Sequence, residues 1–476
     1  MSRQFRIGIV GGGISGLSAA FWLEKLVGRQ SLDAEISLLE KSAKLGGVIH
    51  SVVVDGYLLE AGPEGWASYK VAAKKIIQEL GLQQEMIGSN DEHRRTLIVR
   101  GGRLTALPDG MMFLAPVDAR AFWRSAPLTL RGKLRASLEP LVPRSQGDLS
   151  VRRFFERRLG REFTENLVEP LTSAIYGADF EELSAPSTLP ELYRAEQRAG
   201  SLWKGLRRFA NMTTKISVLA TMRRGMAQLT EAIEESLQVT RIMRGVTGLR
   251  LRASDERLVL TAEDFEEAFD ALILCTPAGA SADILESSIP EVAPLLRSVP
   301  YATSTLVYLA YRRDEFDHPL DGFGFIVPRR ENRAIDACTW VNRKFDFRCP
   351  EDRILLRCAI HDRAGREVPR DGSLVERMSQ EIQAIMGVHC QPVMAQVIPA
   401  SGGIPQLLVG HGARLAQIQE ILGPYPGLAL AGSFTRGVGV PDCVRTAQEA
   451  VLGVVERLTG TRPTIGEATV SGRRRT

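Results

Sequence analysis

The chain has 476 residues and only six cysteines: Cys275, Cys338, Cys349, Cys358, Cys390 and Cys443. No two lie two to four residues apart, the spacing that marks a zinc site. Scattered in this way they read as reduced thiols of a cytoplasmic protein rather than a disulfide framework. Histidine is equally sparse, with His50, His93, His318, His361, His389 and His411 dispersed and forming no ligand cluster, so no metal site is expected. Charge of one sign is not in excess: 60 Lys and Arg against 56 Asp and Glu leave a net charge of +4, too mild to imply a nucleic-acid partner. No run of about 18 apolar residues free of charge and glycine occurs, which excludes a transmembrane helix from the expectation. Arg3 and Arg6 precede an apolar run, but Gly11, Gly12, Gly13 and Gly16 interrupt it and no small-residue cleavage site ends it, so it is not a signal peptide.

What is present is globular: 44% hydrophobic and 24% charged residues, with 44 glycines, in a length of roughly three domains. Phe5–Val10 reads as a buried strand, Gly16–Leu26 as a helix and Glu35–Leu39 as a second strand, the alternation of a parallel α/β sheet. Asp55-Gly56 signals a hairpin, and Val71–Leu80 an amphipathic helix closed by Gly81. Two short strands are expected around Gly248, a buried strand at Ala271–Leu274, and strands of a second sheet at Thr303–Tyr311, Gly324–Val327 and Ile354–Ala359. Leu428–Leu430 reads as a last buried strand before a Gly-rich turn and a helix to about Leu458, and Ser471–Thr476 as a disordered tail.

Gly11-Gly12-Gly13-Ile14-Ser15-Gly16 contains G-x-G-x-x-G between a strand and a helix, the context in which that pattern has meaning. Gly11 permits the turn, Gly13 the approach of a pyrophosphate to the backbone, and Gly16 close helix–strand packing. Free N–H groups at the helix start face the phosphates. Glu40 ends the second strand, where an acid accepts ribose hydroxyls and repels a 2′-phosphate, arguing against NADP.

Gly46-Gly47, after Lys41 and Lys44, resembles the GG motif of FAD-dependent amine oxidases, and Glu60-Ala61-Gly62-Pro63 resembles the segment that runs beside their flavin. Ala431-Gly432-Ser433 and Gly437–Cys443 precede the last helix, so one ligand is served by both chain ends. Further segments, Glu169-Pro170-Leu171 to Ile175-Tyr176-Gly177, Leu183-Ser184, Ser187–Pro190, Gly225-Met226 with Leu229, and Gly322–Val327, resemble the oxygen-dependent porphyrinogen oxidases of haem synthesis. The likeness runs from about residue 5 to 458. One departure stands out: that family carries Arg-Trp and Met-Pro-Gln-Tyr ahead of Gly-His, whereas Pro399–Leu407 before Gly410-His411 has neither the Trp nor the Tyr, which alters the wall beside the flavin.

The resemblance implies an α/β fold, α+β overall. A discontinuous Rossmann-like FAD domain (1–65, 215–290, 425–462) joins a mixed-sheet substrate domain (66–110, 291–424) and a helical, membrane-binding insertion (111–214), with 463–476 as tail. It implies non-covalent FAD on Gly11, Gly13, Ile14, Ser15, Gly16, Glu40, Lys41, Lys44, Gly46, Gly47, Gly62, Pro63, Glu64, Val246, Thr276, Gly432, Val440, Pro441 and Asp442. The implied reaction is a six-electron oxidation of a porphyrinogen by O2 through flavin-driven hydride transfer, releasing H2O2, with no catalytic side chain named. Ala337–Lys344 and Gly65–Lys70 look like the branch acting on coproporphyrinogen III, with protoporphyrinogen IX the close rival. A four-propionate substrate needs more cations, for which Lys70, Lys74, Lys75, Arg343 and Lys344 are candidates. Tyr176, Met226, Phe323 and Phe325 are candidates for an apolar slot. Between Arg120 and Arg161 eleven basic residues face three acids, with Phe122, Trp123, Leu128, Leu134 and Leu138 interleaved, a composition suited to anionic lipid headgroups. A membrane surface and a chelatase are plausible hand-off partners. Other readings are a different FAD oxidase of the same fold, acting on amines or carotenoids, and a non-catalytic flavin- or porphyrin-binding protein.

Overall fold

The computed structural model describes residues 4–29, 32–107, 111–112, 114–124, 128–177, 180–213, 217–253, 257–362, 372–399, 402–461 and 463; the tail Ser471–Thr476 lies outside the described residues. Its first layer is a five-stranded sheet, all pairs parallel, in the order Arg241–Arg244, Ala34–Glu40, Phe5–Val10, Ala271–Leu274 and Leu428–Leu430. The central strands read as near-continuous apolar runs because both faces are covered. On one face the helices Ile14–Gly28 and Val440–Thr459 pack together, burying Leu17, Phe21, Trp22, Val444, Val451 and Val455. On the other lie the helices Ala278–Leu285 and Val292–Arg297 with a three-stranded antiparallel sheet over Arg250–Ala253, Leu258–Ala262 and Phe265–Phe269. The region around Gly248 therefore holds strands of two different sheets, and a third strand follows. Gly248 takes positive φ and Arg241–Arg244 stays in the parallel sheet while the chain turns away.

The second layer is a seven-stranded mixed sheet: Met394–Ile398, Ser304–Arg312, Arg353–His361, Ala337–Trp340, Gly324–Ile326, Thr96–Arg100 and Arg103–Ala106. Ser304–Arg312 shows how it is held. Val307, Leu309 and Tyr311 face the helix Ser373–Met386, while Leu306, Tyr308 and Ala310 face Tyr57 and Leu59 of the hairpin Ser51–Val54/Tyr57–Glu60. Period-two alternation thus buries both faces of one strand. Tyr308 Oη donates to the Glu60 carbonyl (2.9 Å) and accepts the Glu60 amide (3.0 Å), tying the hairpin to this sheet.

The third layer is helical, between Ala119 and Thr213, around Phe122, Phe154, Phe155, Phe163, Leu167 and Leu202. Arg158 is fully buried there, donating to Glu139 Oε1 (2.9 Å) and pairing with Glu196, both also fully buried. Several residues of the basic stretch are thus unavailable to a surface. Phe122, on the helix Ala119–Arg124, and Leu128, ahead of the helix Leu130–Ser137, are both in the core. Arg152 pairs with Glu156 and Glu181, Arg161 with Glu165, and Arg135 donates to the carbonyls of Arg157 and Arg158. Trp123, Leu130, Leu134, Leu138 and Leu141 remain exposed. Among the described residues no helix is long and apolar enough to cross a membrane.

Candidate active site

The Phe5–Val10 strand ends in the glycine loop, and Gly13 starts the Ile14–Gly28 helix with no side chain capping it. Gly11 sits at φ +102° because the chain turns back over the Cys275 backbone, and a methyl group on Gly16 would collide with the Gly11 carbonyl oxygen. At Gly13 the space is open: an added methyl would meet nothing nearer than Gly47 Cα, 3.8 Å away. Gly46 donates to Gly12 O (2.9 Å), bringing the second glycine pair against the first. Glu40 accepts the Gly12 amide (2.6 Å) and the Ser42 amide (2.8 Å), and its carbonyl accepts the Val246 amide (3.0 Å). Thr276 lies beside Gly11, with Oγ1 2.8 Å from Ser281 Oγ; Lys41 and Lys44 are exposed at the rim.

The chain's far end closes this cradle. Gly432, at φ +128°, faces the Ser15 hydroxyl, with room for a methyl 3.7 Å from it. Val440 and Pro441 open the last helix, and Asp442 accepts the Gly439 amide (3.2 Å). Burial pushes the Cys443 thiol up to about 12, so it stays protonated beside Ser15. Open space at Gly13 and Gly432, an uncapped helix start and an acid at the second strand's end fit the pyrophosphate and ribose of a dinucleotide.

Beside the cradle, Gly62 O accepts Arg357 Nη2 (3.0 Å), with Pro63 half-buried next in the chain. Glu64 pairs with Lys344 and stands 3.9 Å from Arg357 Nη1. Burial alone would raise the Glu64 carboxyl, but Lys344 and Arg357 outweigh it and hold it below the usual carboxylate range. Glu60 differs: burial raises its carboxyl, against the Met226 amide and Ser51 hydroxyl that donate to it at 2.8 and 2.7 Å. Arg348, nearly fully buried, donates to the carbonyls of Arg223 and Met222 and to Thr221.

The substrate candidates separate into groups. Met226 and Phe325 are corrected: both are buried side chains of the hydrophobic core, Met226 under the parallel sheet and Phe325 under the Ser373–Met386 helix, so neither lines an open slot. Lys344 is neutralised by Glu64 and is not a free cation. Lys70 is held by Asp442 at 2.7 Å and Glu191 at 3.5 Å. Lys74 and Lys75 are exposed. Arg343 is half-buried, its Nε donating to Leu320 O (3.0 Å), and no carboxylate pairs with it among the described residues. Tyr176 and Phe323 are half-buried, and the Tyr176 hydroxyl donates to Thr188 O (3.2 Å). Where the two aromatics are missing, Ala400 and Ser401 lie outside the described residues, while Gly403 packs against Tyr301, whose hydroxyl accepts the Ala278 amide (2.9 Å). Sequence reasoning missed Arg348, Arg357, Glu191 and Tyr301. Their partners are far away in the chain, so no local spacing marks them. Among the described residues no group of three or more His, Cys, Asp or Glu could hold a metal.

Known proteins share this architecture. A Bacillus subtilis (strain 168) coproporphyrinogen III oxidase is 31% identical over 93% of this chain and 96% of its own. Human protoporphyrinogen oxidase is 28% identical over 96% of this chain and 98% of its own. A solved structure from Exiguobacterium sp. 255-15, named for protoporphyrinogen oxidase, superposes with a TM-score of 0.82 at 28% identity, over 96% of this chain and 100% of that one. The model of the flavin containing amine oxidoreductases matches residues 14–454. With a two-ended dinucleotide cradle and a match of that extent, the chain belongs to the flavin containing amine oxidoreductase family, and its cofactor is FAD.

Proposed function

We propose that this protein oxidises a porphyrinogen to the corresponding porphyrin in haem synthesis, with coproporphyrinogen III as the preferred substrate and O2 as the acceptor. The observation that carries this reading is the near full-length likeness to proteins named coproporphyrinogen III oxidase. FAD, when bound, supplies two-electron acceptance, needed three times for the six-electron change, with H2O2 released.

The chain's own residues bind, orient and shield. The amides at the start of Ile14–Gly28 and the open backbone at Gly13 and Gly432 receive the pyrophosphate. Glu40 faces the ribose while it braces the loop. Glu64, Lys344 and Arg357 fix the Gly62–Glu64 segment against the mixed sheet. Arg343 is the cation best placed to take a propionate, since no carboxylate neutralises it. Half-buried Tyr176 and Phe323 offer apolar surface to the macrocycle. The residue ranges expected for the cofactor, substrate and helical regions belong to the same proposal.

The helical layer adds a membrane contact. Leu130, Leu134 and Leu138 recur every four residues along Leu130–Ser137 and just beyond it, all exposed, with Arg131 and Lys133 between them. A leucine stripe flanked by cations suits the headgroup boundary of an anionic bilayer. A chelatase would then collect the product at that surface. The test supplies coproporphyrinogen III and protoporphyrinogen IX separately, in air, to the yellow holoenzyme, following porphyrin fluorescence and peroxide together. Faster porphyrin formation from coproporphyrinogen III is expected. Turnover no faster than the spontaneous rate with both would overturn the proposal.

A further inference from the structure

Lys70 stands where three parts of the molecule meet. It immediately precedes the Val71–Glu79 helix, and its ammonium reaches Asp442 in the first turn of the last helix (2.7 Å) and Glu191 in the first turn of Pro190–Ala199 (3.5 Å). The two carboxylates are not equivalent. Asp442 also accepts the Gly439 amide and has Arg445 within 3.9 Å, so it is committed to the cofactor turn whatever Lys70 does. Glu191 has no other ion-pair partner among the described residues, and its contact is the longer and more exposed of the two. Tyr69 and Tyr176 line the same corner. Burial first, and then Glu191 and Asp442, push both phenols above their ordinary range, which places all four groups in one another's field. Lys70 is thus shared between two carboxylates, beside a site proposed to receive a substrate that carries carboxylates of its own.

We propose that Glu191 is a specificity-determining residue, an internal carboxylate that occupies on Lys70 the place a substrate carboxylate takes. The inference rests on the porphyrinogen reading given above. A substrate propionate reaching Lys70 must displace Glu191 and bear its repulsion, so Glu191 lowers the affinity for each carboxylate presented at this corner. A partly exposed pair of this kind is replaceable because it is weak. The cost rises with the number of propionates and falls as salt screens the charges.

The test compares the wild-type holoenzyme with Glu191→Gln, using coproporphyrinogen III and protoporphyrinogen IX. In the variant, KM for the four-propionate substrate falls roughly three- to fivefold, the range of a partly exposed ion pair. The change lies in KM rather than kcat, is smaller for the two-propionate substrate, and shrinks in about 0.5 M salt. Adding Lys70→Met to the variant erases the gain. An unchanged KM, or a gain that survives loss of Lys70, overturns the inference. Flavin content and melting temperature identify the folded variant, and Glu191→Ser provides a second. If the wild type turns over neither porphyrinogen, the reading of function fails. Equilibrium quenching of coproporphyrin III fluorescence then decides the inference alone: tighter binding by Glu191→Gln supports it, and equal binding sinks it.

Discussion

The Glu40 carboxylate accepts the Gly12 amide at 2.6 Å, so the acid expected to face a ribose also braces the loop that receives the phosphates. Its second oxygen takes the Ser42 amide at 2.8 Å. Glu40→Ala leaves two backbone donors without their acceptor, a loss of about 1–3 kcal/mol. The purified variant is expected to be poor in flavin and to melt earlier, as read from the 450 nm absorbance and a thermal scan.

Two neighbouring glycines should fail differently. Gly16→Ala drives a methyl into the Gly11 carbonyl oxygen and distorts the strand–helix junction itself, so little folded protein is expected. Gly13→Ala meets only Gly47 Cα at 3.8 Å, so the apoprotein should fold while the methyl occupies the phosphate cradle. Circular dichroism and flavin titration separate the two. A Gly13→Ala protein that retains full flavin would show that the phosphates do not pass there.

Arg158 neutralises Glu139 and Glu196 with all three fully buried. Arg158→Met fills the space but strands two carboxylates, a cost of about 3–5 kcal/mol. Urea unfolding followed by tryptophan fluorescence should show an early transition of the helical layer, with the flavin spectrum unchanged at low denaturant.

Glu60 makes stability depend on pH. Burial raises its folded value above the ordinary 4.5, so the folded state holds the proton to higher pH than the unfolded chain does. The group's contribution is complete below that ordinary value and is lost as pH rises through the folded value. Glu60→Gln keeps an acceptor for the Met226 amide and cannot ionise. Its urea midpoint should gain on the wild type as pH rises above about 4.5, and parallel curves would refute the assignment.

The leucine stripe gives a prediction for lipid. Replacing Leu130, Leu134 and Leu138 together with Ser removes three exposed apolar side chains without touching the core of the layer. Flotation with phosphatidylserine vesicles should weaken roughly a hundredfold, at about 1 kcal/mol per leucine. Equal flotation of variant and wild type would place the contact elsewhere.

How much could be read beforehand depends on how far apart the interacting residues are. Phe5–Val10, the glycine loop and Ala34–Glu40 are local and carry their own periodicity, so the parallel sheet was legible. So was Ser304–Arg312, although its double burial hides the contrast between faces. Met226 and Phe325 show where composition stops helping, because an apolar residue near a motif looks the same whether it lines a slot or fills a core. Lys344 carried no mark of its pairing with Glu64, which lies 280 residues away in the chain. Around Arg120–Arg161 the excess of basic residues was visible, but which cations are spent on internal pairs depends on how the helices pack.

The parallel sheet draws its outer strand, Leu428–Leu430, and the helix that covers Ile14–Gly28 from the far end of the chain. On the ribosome, the glycine loop emerges long before the last helix, and its own helix, buried along most of its length in the finished fold, must wait for that partner. Until then that apolar surface is a client for chaperones, and the cradle lacks its Gly432 wall. Cofactor loading is thereby a late checkpoint. A chain cut before Val440 is expected to hold flavin poorly, so the yellow of bound flavin reports that the last helix is in place.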